Sequence, residues 1–160
     1  CSTTSRSEDV IVVYIDMDKV MNQSVAGKSI VKQLEKIHNV NISEFKKIED
    51  ELKLEEEKLI SKKNKKSNDE YIKEVNLFKK KVNDFKTIRK QKIDTVNKIK
   101  SEGTAKLLKE LNPILADYSK ENNISIILRK EDLIIARSSL DITNQIIDLV
   151  NLKVKEIKLN

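Results

Sequence analysis

Apolar and polar residues follow two different spacings along this chain, and the difference predicts strands near its ends and long helices in its middle. The dense apolar runs "VIVVYI" (10–15), "ISIIL" (124–128) and "LIIA" (133–136) are rich in β-branched residues, which favour buried strands. Because the polar stretch "RKED" separates the second run from the third, we expect these two runs to form a β-hairpin.

The middle of the chain carries apolar residues spaced by three and four positions, which is typical of a narrow helical seam. On the first arm these residues are Ile30, Leu34, Ile37, Phe45, Ile48, Leu52 and Leu59, with Asn41 in the position between Ile37 and Phe45. On the second arm they are Tyr71, Val75, Phe78, Val82 and Phe85, followed by a register shift that resembles a stutter. The pattern predicts an antiparallel hairpin of two helices, each of about 40 residues and therefore about 60 Å long.

Polar residues beside these elements mark where helices begin and end. Asp16 and Asp18 follow the first strand and are suited to cap a helix that begins close to them. Asn122 and Asn123 tolerate the left-handed conformation in which many helices stop. Asp141 is the expected N-cap of a final amphipathic helix, which closes the chain.

The order of these elements predicts a mainly α fold with a small β part, in which the long hairpin is inserted. We expect a flexible polar segment at 1–9, a β-body formed by 10–30 together with 112–160, and the hairpin at 31–111 with its tip at about 61–69. Three strands from one chain leave exposed edges and too little core, so we expect the β-body to close by pairing with copies of itself.

The composition agrees with long helices rather than with a loop-rich globule. Charged residues make up 36% of the chain and aromatic residues 4%, which leaves little material for a single large core. Two glycines and one proline provide few helix breaks. Disorder is the competing interpretation, and the dense apolar runs near both ends argue against it because they require burial.

The net charge of +6 belongs to the hairpin, since residues 42–100 carry all of it and the rest of the chain is neutral. The ascending arm, 42–60, is net acidic, whereas the descending arm, 69–100, is net basic. This arrangement predicts ion pairs between the two helices. It leaves the lysines of the turn without partners, and we expect them to attract lipid headgroups, lipopolysaccharide or an acidic polypeptide; they are Lys62, Lys63, Lys65 and Lys66.

The turn itself is the stretch "SKKNKKSND", in which Asn68 is the expected turn residue and Asp69 the expected cap of the second helix. Nucleic acid is an unlikely partner for this basic stretch, because no aromatic residues for base stacking are interleaved with its lysines. Arg89 is the only arginine in the hairpin, so bidentate base contacts have little support either.

Three features suggest chemistry and are better explained by structure. "AGKS" (26–29) lacks the first glycine of a phosphate-binding loop, since that position is Asn22. His38 is the single histidine and has no histidine partner for metal or triad chemistry, and the pair Asp16 and Asp18 suits helix capping better than acid–base catalysis. The sequence therefore predicts no catalytic residues, no metal site and no cofactor.

Cys1 is the only cysteine, so the chain forms no intrachain disulfide and no thiolate metal site. A cysteine in first position is compatible with lipoprotein processing, in which Cys1 is acylated and the polar residues after it form a tether. A trimmed signal peptide, or a boundary of the chain as given, explains the same observation.

Two terminal motifs resemble the Skp (OmpH) family of periplasmic chaperones for outer-membrane proteins. The first is "VIVVYIDMDKVMNQSVAGKS" (10–29), a valine-rich strand followed by a helix with a Gly-Lys pair. The second is "ILADYSKENNISIILRKEDLIIARSSLDITNQIIDLVN" (114–151), which runs from a helix through the strand region to the last helix. The hairpin between them matches the family in length and character only.

The resemblance implies a jellyfish-like homotrimer, with a shared β-body and three helical tentacles around a cavity. It further implies that unfolded outer-membrane proteins are held in this cavity without ATP, in the periplasm, before insertion into the outer membrane. Basic tentacle tips that engage membranes or lipopolysaccharide are also associated with the family. Cys1 departs from the family pattern, because the typical member is not lipid-anchored.

The thin seam leaves several apolar side chains of the hairpin outside the packed face, where they are suited to many weak contacts with a client protein. The candidate client contacts are Leu54, Ile60, Ile72, Leu77 and Ile88. The main alternative is a structural coiled-coil tether or scaffold of the cell envelope, in which the hairpin binds a folded partner.

Overall fold

The computed structural model describes residues 8–160 and contains two long helices and a small sheet. The elements are β1 Val12–Ile15, α1 Met17–Gln23, α2 Val25–Ser61, α3 Asn68–Glu121, β2 Ile126–Arg129 and α4 Thr143–Lys153. The chain divides into two compact units. We call them the first unit, Cys1–Lys32 with Ser101–Asn160, and the hairpin unit, Gln33–Lys100. The predicted fold class, mainly helical with a small β part, is confirmed.

The sheet has two parallel strands, with Val12 opposite Ile126 and Ile15 opposite Arg129. Parallel pairing is possible because the chain travels through α1, α2 and α3 before it returns to the sheet, and parallel strands need such a long connection. Within residues 8–160, β1 makes one further pairing, an isolated bridge between Tyr14 and Asp141. The two ends of the sequence therefore meet in one sheet, as predicted.

The predicted β-hairpin at 124–136 is wrong. Only Ile126–Arg129 forms a strand; Lys130–Asp132 is a short 3-10 turn, and "LIIA" (133–136) has no strand structure. A strand needs a neighbour to bond with, and among the described residues of this single chain none pairs with 133–136. The side chains of Ile134 and Ile135 are consequently exposed, at 104% and 89%.

The core of the first unit is formed by buried residues of β1, α1, α4 and the last third of α3, and α1 contacts α4. Its most deeply buried apolar side chains are Ile15, Val20, Leu107, Leu111, Ile146 and Val150. Thr143 is also buried, and its hydroxyl accepts a hydrogen bond of 2.9 Å from the backbone N–H of Asp16. This bond ties the start of α4 to the end of β1, which are distant in sequence.

The junction between α1 and α2 explains the glycine of "AGKS". Ser24 ends α1, and its buried hydroxyl accepts a hydrogen bond of 3.0 Å from the backbone N–H of Gly27, which caps α2. A Cβ atom at Gly27 would lie 1.7 Å from the backbone oxygen of Met21. The glycine is therefore required for close packing at a helix junction, and residues 26–29 form helix instead of a phosphate-binding loop.

The helix ends agree with the predictions in part. Asp16 is the N-cap of α1: its carboxylate accepts from the backbone N–H of Lys19 at 3.0 Å, and this bond lowers the pKa of Asp16. Asp18 lies in the first turn of α1 and is not the cap. Asn123 has a φ of 52°, as the left-handed end of α3 requires. The N-cap of α4 is Ile142, while the preceding residue, Asp141, accepts from the backbone N–H of Thr143.

Candidate functional surface of the helical hairpin

The hairpin unit is held together at one aromatic contact. Phe45 on α2 and Phe85 on α3 are its only buried side chains, and their ring centroids lie 6.1 Å apart in an edge-to-face arrangement. The guanidinium of Arg89 lies 5.7 Å from the centre of the Phe45 ring and 3.4 Å from the carboxylate of Glu49. The remaining seam residues are half-buried at best, so the rest of the hairpin is thinly packed.

Ion pairs join the acidic arm to the basic arm, as the charge pattern predicted. Lys81 lies 2.7 Å from Glu55, and Arg89 pairs with Glu49 as described above. Lys92 pairs with Glu44 in the same way. All these side chains are between two fifths and three fifths exposed. Exposed ion pairs are worth about 0.2–1 kcal/mol, so each pair stabilises the hairpin only weakly.

The hairpin exposes several large apolar side chains among its charged residues. The predicted client-contact residues all lie on it, with exposed fractions of 59%, 63%, 51%, 62% and 43% for Leu54, Ile60, Ile72, Leu77 and Ile88. Sequence reasoning missed Val40, Ile42 and Ile93, which are exposed to a similar degree. The spacing of the seam could have identified Val40 and Ile42 as exposed, because Asn41 between them holds the seam position and its two neighbours therefore lie beside the seam.

The tip is the turn between the end of α2 at Ser61 and the start of α3 at Asn68. One of its four lysines has an anionic partner: Lys66 bonds the carboxylate of Glu74, which raises the pKa of Lys66 and lowers the pKa of Glu74. The expectation that all four lysines are unpaired is therefore wrong for Lys66, because α3 places Glu74 two turns beyond the helix start. Lys62, Lys63 and Lys65 make no ion pair within residues 8–160.

The cap of α3 also differs from the prediction. The hydroxyl of Ser67 accepts from the backbone N–H of Glu70 at 3.4 Å, and the Ser67 carbonyl accepts from the N–H of Tyr71 at 3.0 Å. Ser67 is therefore the cap, and Asp69 lies in the first turn of the helix, where its charge suits the helix dipole. The sequence did contain this signal, because Ser67 and Glu70 have the spacing of a capping box.

Comparison with known proteins identifies the family to which the chain belongs. A family model described as outer membrane protein (OmpH-like) matches residues 11–150. The chain belongs to the OmpH-like family. Its structure is similar to a crystal structure from Caulobacter crescentus CB15, described as an OmpH-like candidate outer membrane chaperone. The TM-score is 0.85 at 18% identity, with 99% of this chain and 94% of the other covered. No protein with a curated description matches the sequence.

Other kinds of site find little support in this OmpH-like chain. The described residues hold no cluster of three or more histidine, cysteine, aspartate or glutamate side chains arranged to bind a metal ion. His38 is exposed on α2. Among the helices of residues 8–160, none combines the length and the apolar content needed to cross a membrane. Cys1, the predicted lipidation site, lies outside the described residues.

Proposed function

We propose that this OmpH-like chain is an ATP-independent holdase, which keeps unfolded outer-membrane β-barrel proteins from aggregating in the periplasm before they insert into the membrane. The observation that carries the proposal is the row of exposed apolar side chains along a thin, charged helical hairpin. Membership in the OmpH-like family supports a chaperone role, as does the likeness to a candidate outer membrane chaperone.

The chemistry of such a client suits this surface. A strand of an unfolded barrel protein exposes alternating apolar residues and unpaired backbone groups, so it aggregates unless its apolar side is covered. Contacts to single exposed leucine and isoleucine side chains are individually weak, which allows release without ATP. Several weak contacts acting together still give useful affinity, particularly when several hairpins engage one client.

The proposal includes a homotrimer in which the hairpins surround the client. Its support is the apolar surface left open beside the small sheet of the first unit. Ile126 and Leu128 on β2 are 46% and 38% exposed, and the side chains of Ile134 and Ile135, in the segment that follows β2, are almost fully exposed. Apolar surface of this kind next to an unpaired strand edge favours association with further copies of the chain. Light scattering that yields a stable monomer of 18.5 kDa would refute the trimer.

Suppression of aggregation tests the holdase proposal directly. A urea-unfolded outer-membrane β-barrel protein is diluted into buffer containing the trimer at stoichiometric amounts, and turbidity is followed. We expect suppression by the wild type and a several-fold higher requirement for a variant with serine at Leu54, Ile60, Ile72, Leu77 and Ile88. The control carries serine at Val10 and Leu152, which are exposed apolar residues of the first unit. If the wild type fails to suppress aggregation, the holdase proposal fails and the envelope scaffold becomes the better hypothesis.

The tip is proposed to contact anionic membranes or lipopolysaccharide through its lysines. Replacement of Lys62, Lys63, Lys65 and Lys66 by glutamine should weaken binding to vesicles that contain anionic lipid and should flatten the salt dependence of that binding. Vesicle flotation at several salt concentrations measures both quantities. Unchanged binding would assign these lysines to a solvated turn. Whether Cys1 adds a lipid anchor is tested by mass spectrometry of the N-terminus in the native envelope.

A further inference from the structure

The two arms of the hairpin leave a groove between them on one side. This groove has a volume of about 680 Å³, within the range of about 300–1,000 Å³ that is usual for ligand sites. Its floor is apolar and is formed by Leu52 on α2 and by Phe78, Val82 and Phe85 on α3. Because three of these four residues are only half-buried, the floor is an apolar surface that no other part of the described chain covers.

The rims of the groove carry unequal charge. Lys53, Lys79 and Lys86 line it and make no ion pair within the described residues, whereas Arg89 and Glu49 neutralise each other. The remaining charged residue of the lining is Glu56, on the α2 side. The groove therefore offers an apolar floor with an excess of positive charge, most of it on the α3 rim.

One end of the groove is fixed. The contact of Phe45 with Phe85, and of Arg89 with Phe45, holds the arms together at that end. Towards the tip the arms are joined only by half-buried residues and exposed ion pairs, such as Lys81 with Glu55. A ligand can thus enter between arms whose spacing is set at one end, which reduces the ordering cost of binding there.

We propose that this groove is a specific subsite for an extended client segment, in which one aromatic side chain enters between the arms and neighbouring acidic residues meet Lys79 and Lys86. The inference rests on the proposed holdase function and adds a defined site to it. An extended segment fits better than an anionic lipid headgroup, because Glu56 beside Lys53 leaves the α2 rim without excess positive charge. A polypeptide can present acidic groups to one rim and neutral groups to the other.

Filling the groove tests the site. Val82→Phe adds an aromatic ring to the groove, and Val96→Phe adds the same atoms to a separate gap of about 430 Å³ elsewhere in the hairpin. The probe is a ten-residue peptide with a single tryptophan flanked by two aspartates, and binding is followed by tryptophan fluorescence. Val82→Phe should weaken binding by about tenfold, since it occupies the volume that the tryptophan requires. Val96→Phe should leave the affinity nearly unchanged, and equal effects would overturn the proposal.

A charge substitution gives a second test that does not depend on packing. Lys79→Gln with Lys86→Gln removes two charges from the rim, and Lys80→Gln with Lys90→Gln removes two charges from the same helix outside the groove. The first pair should weaken binding of the aspartate-flanked peptide by about tenfold and reduce its salt dependence. A peptide with lysines in place of the aspartates should bind poorly to the wild type. Equal losses in both double variants would contradict the site, as would a wild type that binds anionic vesicles through the groove but not the peptide.

The aggregation assay separates this inference from the proposed function. If the wild-type trimer suppresses aggregation and Val82→Phe suppresses it equally well, the groove is a packing gap and only the subsite fails. If the wild type does not suppress aggregation, the holdase function itself fails. Circular dichroism of Val82→Phe and Val96→Phe confirms that both variants retain their helices and melt at similar temperatures.

Discussion

Replacing Phe85 by alanine should open the hairpin while leaving the first unit folded. Phe85 is one of two buried side chains in the hairpin unit and contacts the other, Phe45. A phenylalanine-to-alanine change in a sealed core costs about 3–5 kcal/mol, part of which comes from the cavity left behind. Here grooves of about 680 Å³ and 290 Å³ border the ring, so water fills the vacated space and the cavity contribution is small.

The remaining cost is the lost burial of the ring together with its edge-to-face contact. Burial of such a side chain is worth about 1.5–3 kcal/mol, and 9% of Phe85 is already exposed. The aromatic pair adds about 0.5–1.5 kcal/mol. We therefore expect the free energy of opening the hairpin to fall by about 2–4 kcal/mol, which raises its amide exchange rate by about 30- to 900-fold.

Hydrogen exchange measured by mass spectrometry resolves the two units separately. Peptides from Gln33–Lys100 should lose protection in Phe85→Ala, and peptides from the first unit should keep it. Leu77→Ala is the matched control on the same helix, because Leu77 is 62% exposed and its truncation should change stability by less than about 0.5 kcal/mol. Equal effects of the two substitutions, or loss of protection throughout the chain, would refute the argument that one aromatic contact holds the hairpin.

Three further predictions concern local structure. Gly27→Ala should lower the melting temperature sharply in thermal denaturation, because its Cβ would overlap the backbone oxygen of Met21; a change of a degree or less would contradict this packing. Lys66→Gln should raise the pKa of Glu74, measured by carboxyl NMR, towards its ordinary value of 4.5. Because the pKa of Glu74 is lowered in the folded protein, its pair with Lys66 stabilises the tip at pH values above 4.5, and this stabilisation is lost as the pH falls below 4.5 and Glu74 becomes protonated. An unchanged pKa of Glu74 in Lys66→Gln would exclude the contact. Asn123→Gly should be close to neutral in urea unfolding, whereas Asn123→Ala should cost about 1 kcal/mol because of its positive φ, and equal stabilities would contradict the left-handed helix end.

Much of the fold follows from local patterns. The three-and-four spacing of apolar residues predicted both long helices and the antiparallel seam, and it included Phe45 and Phe85, the two side chains that the hairpin buries. The opposite charges of the arms predicted the ion pairs between them, such as Lys81 with Glu55. These features depend on residues that are close in sequence or repeat at a fixed period, so the sequence contains them directly.

The predictions failed where a residue's partner is remote or its geometry is particular. The run "LIIA" has the composition of a strand, but strand formation needs a bonded neighbour, and that is a tertiary property. Pairing of Lys66 with Glu74 depends on how the turn folds back, which its lysine-rich composition does not reveal.

The sequence by itself determined the helical hairpin placed between two strands, its thin apolar seam and the charge of each arm, because periodicity and composition act locally. Tertiary structure alone decided that β1 and β2 pair in parallel, that Gly27 is needed beneath the carbonyl of Met21, and that the arms leave a groove beside Val82. Each of these depends on distances between segments far apart in the chain, and such distances are set by packing rather than by any local preference.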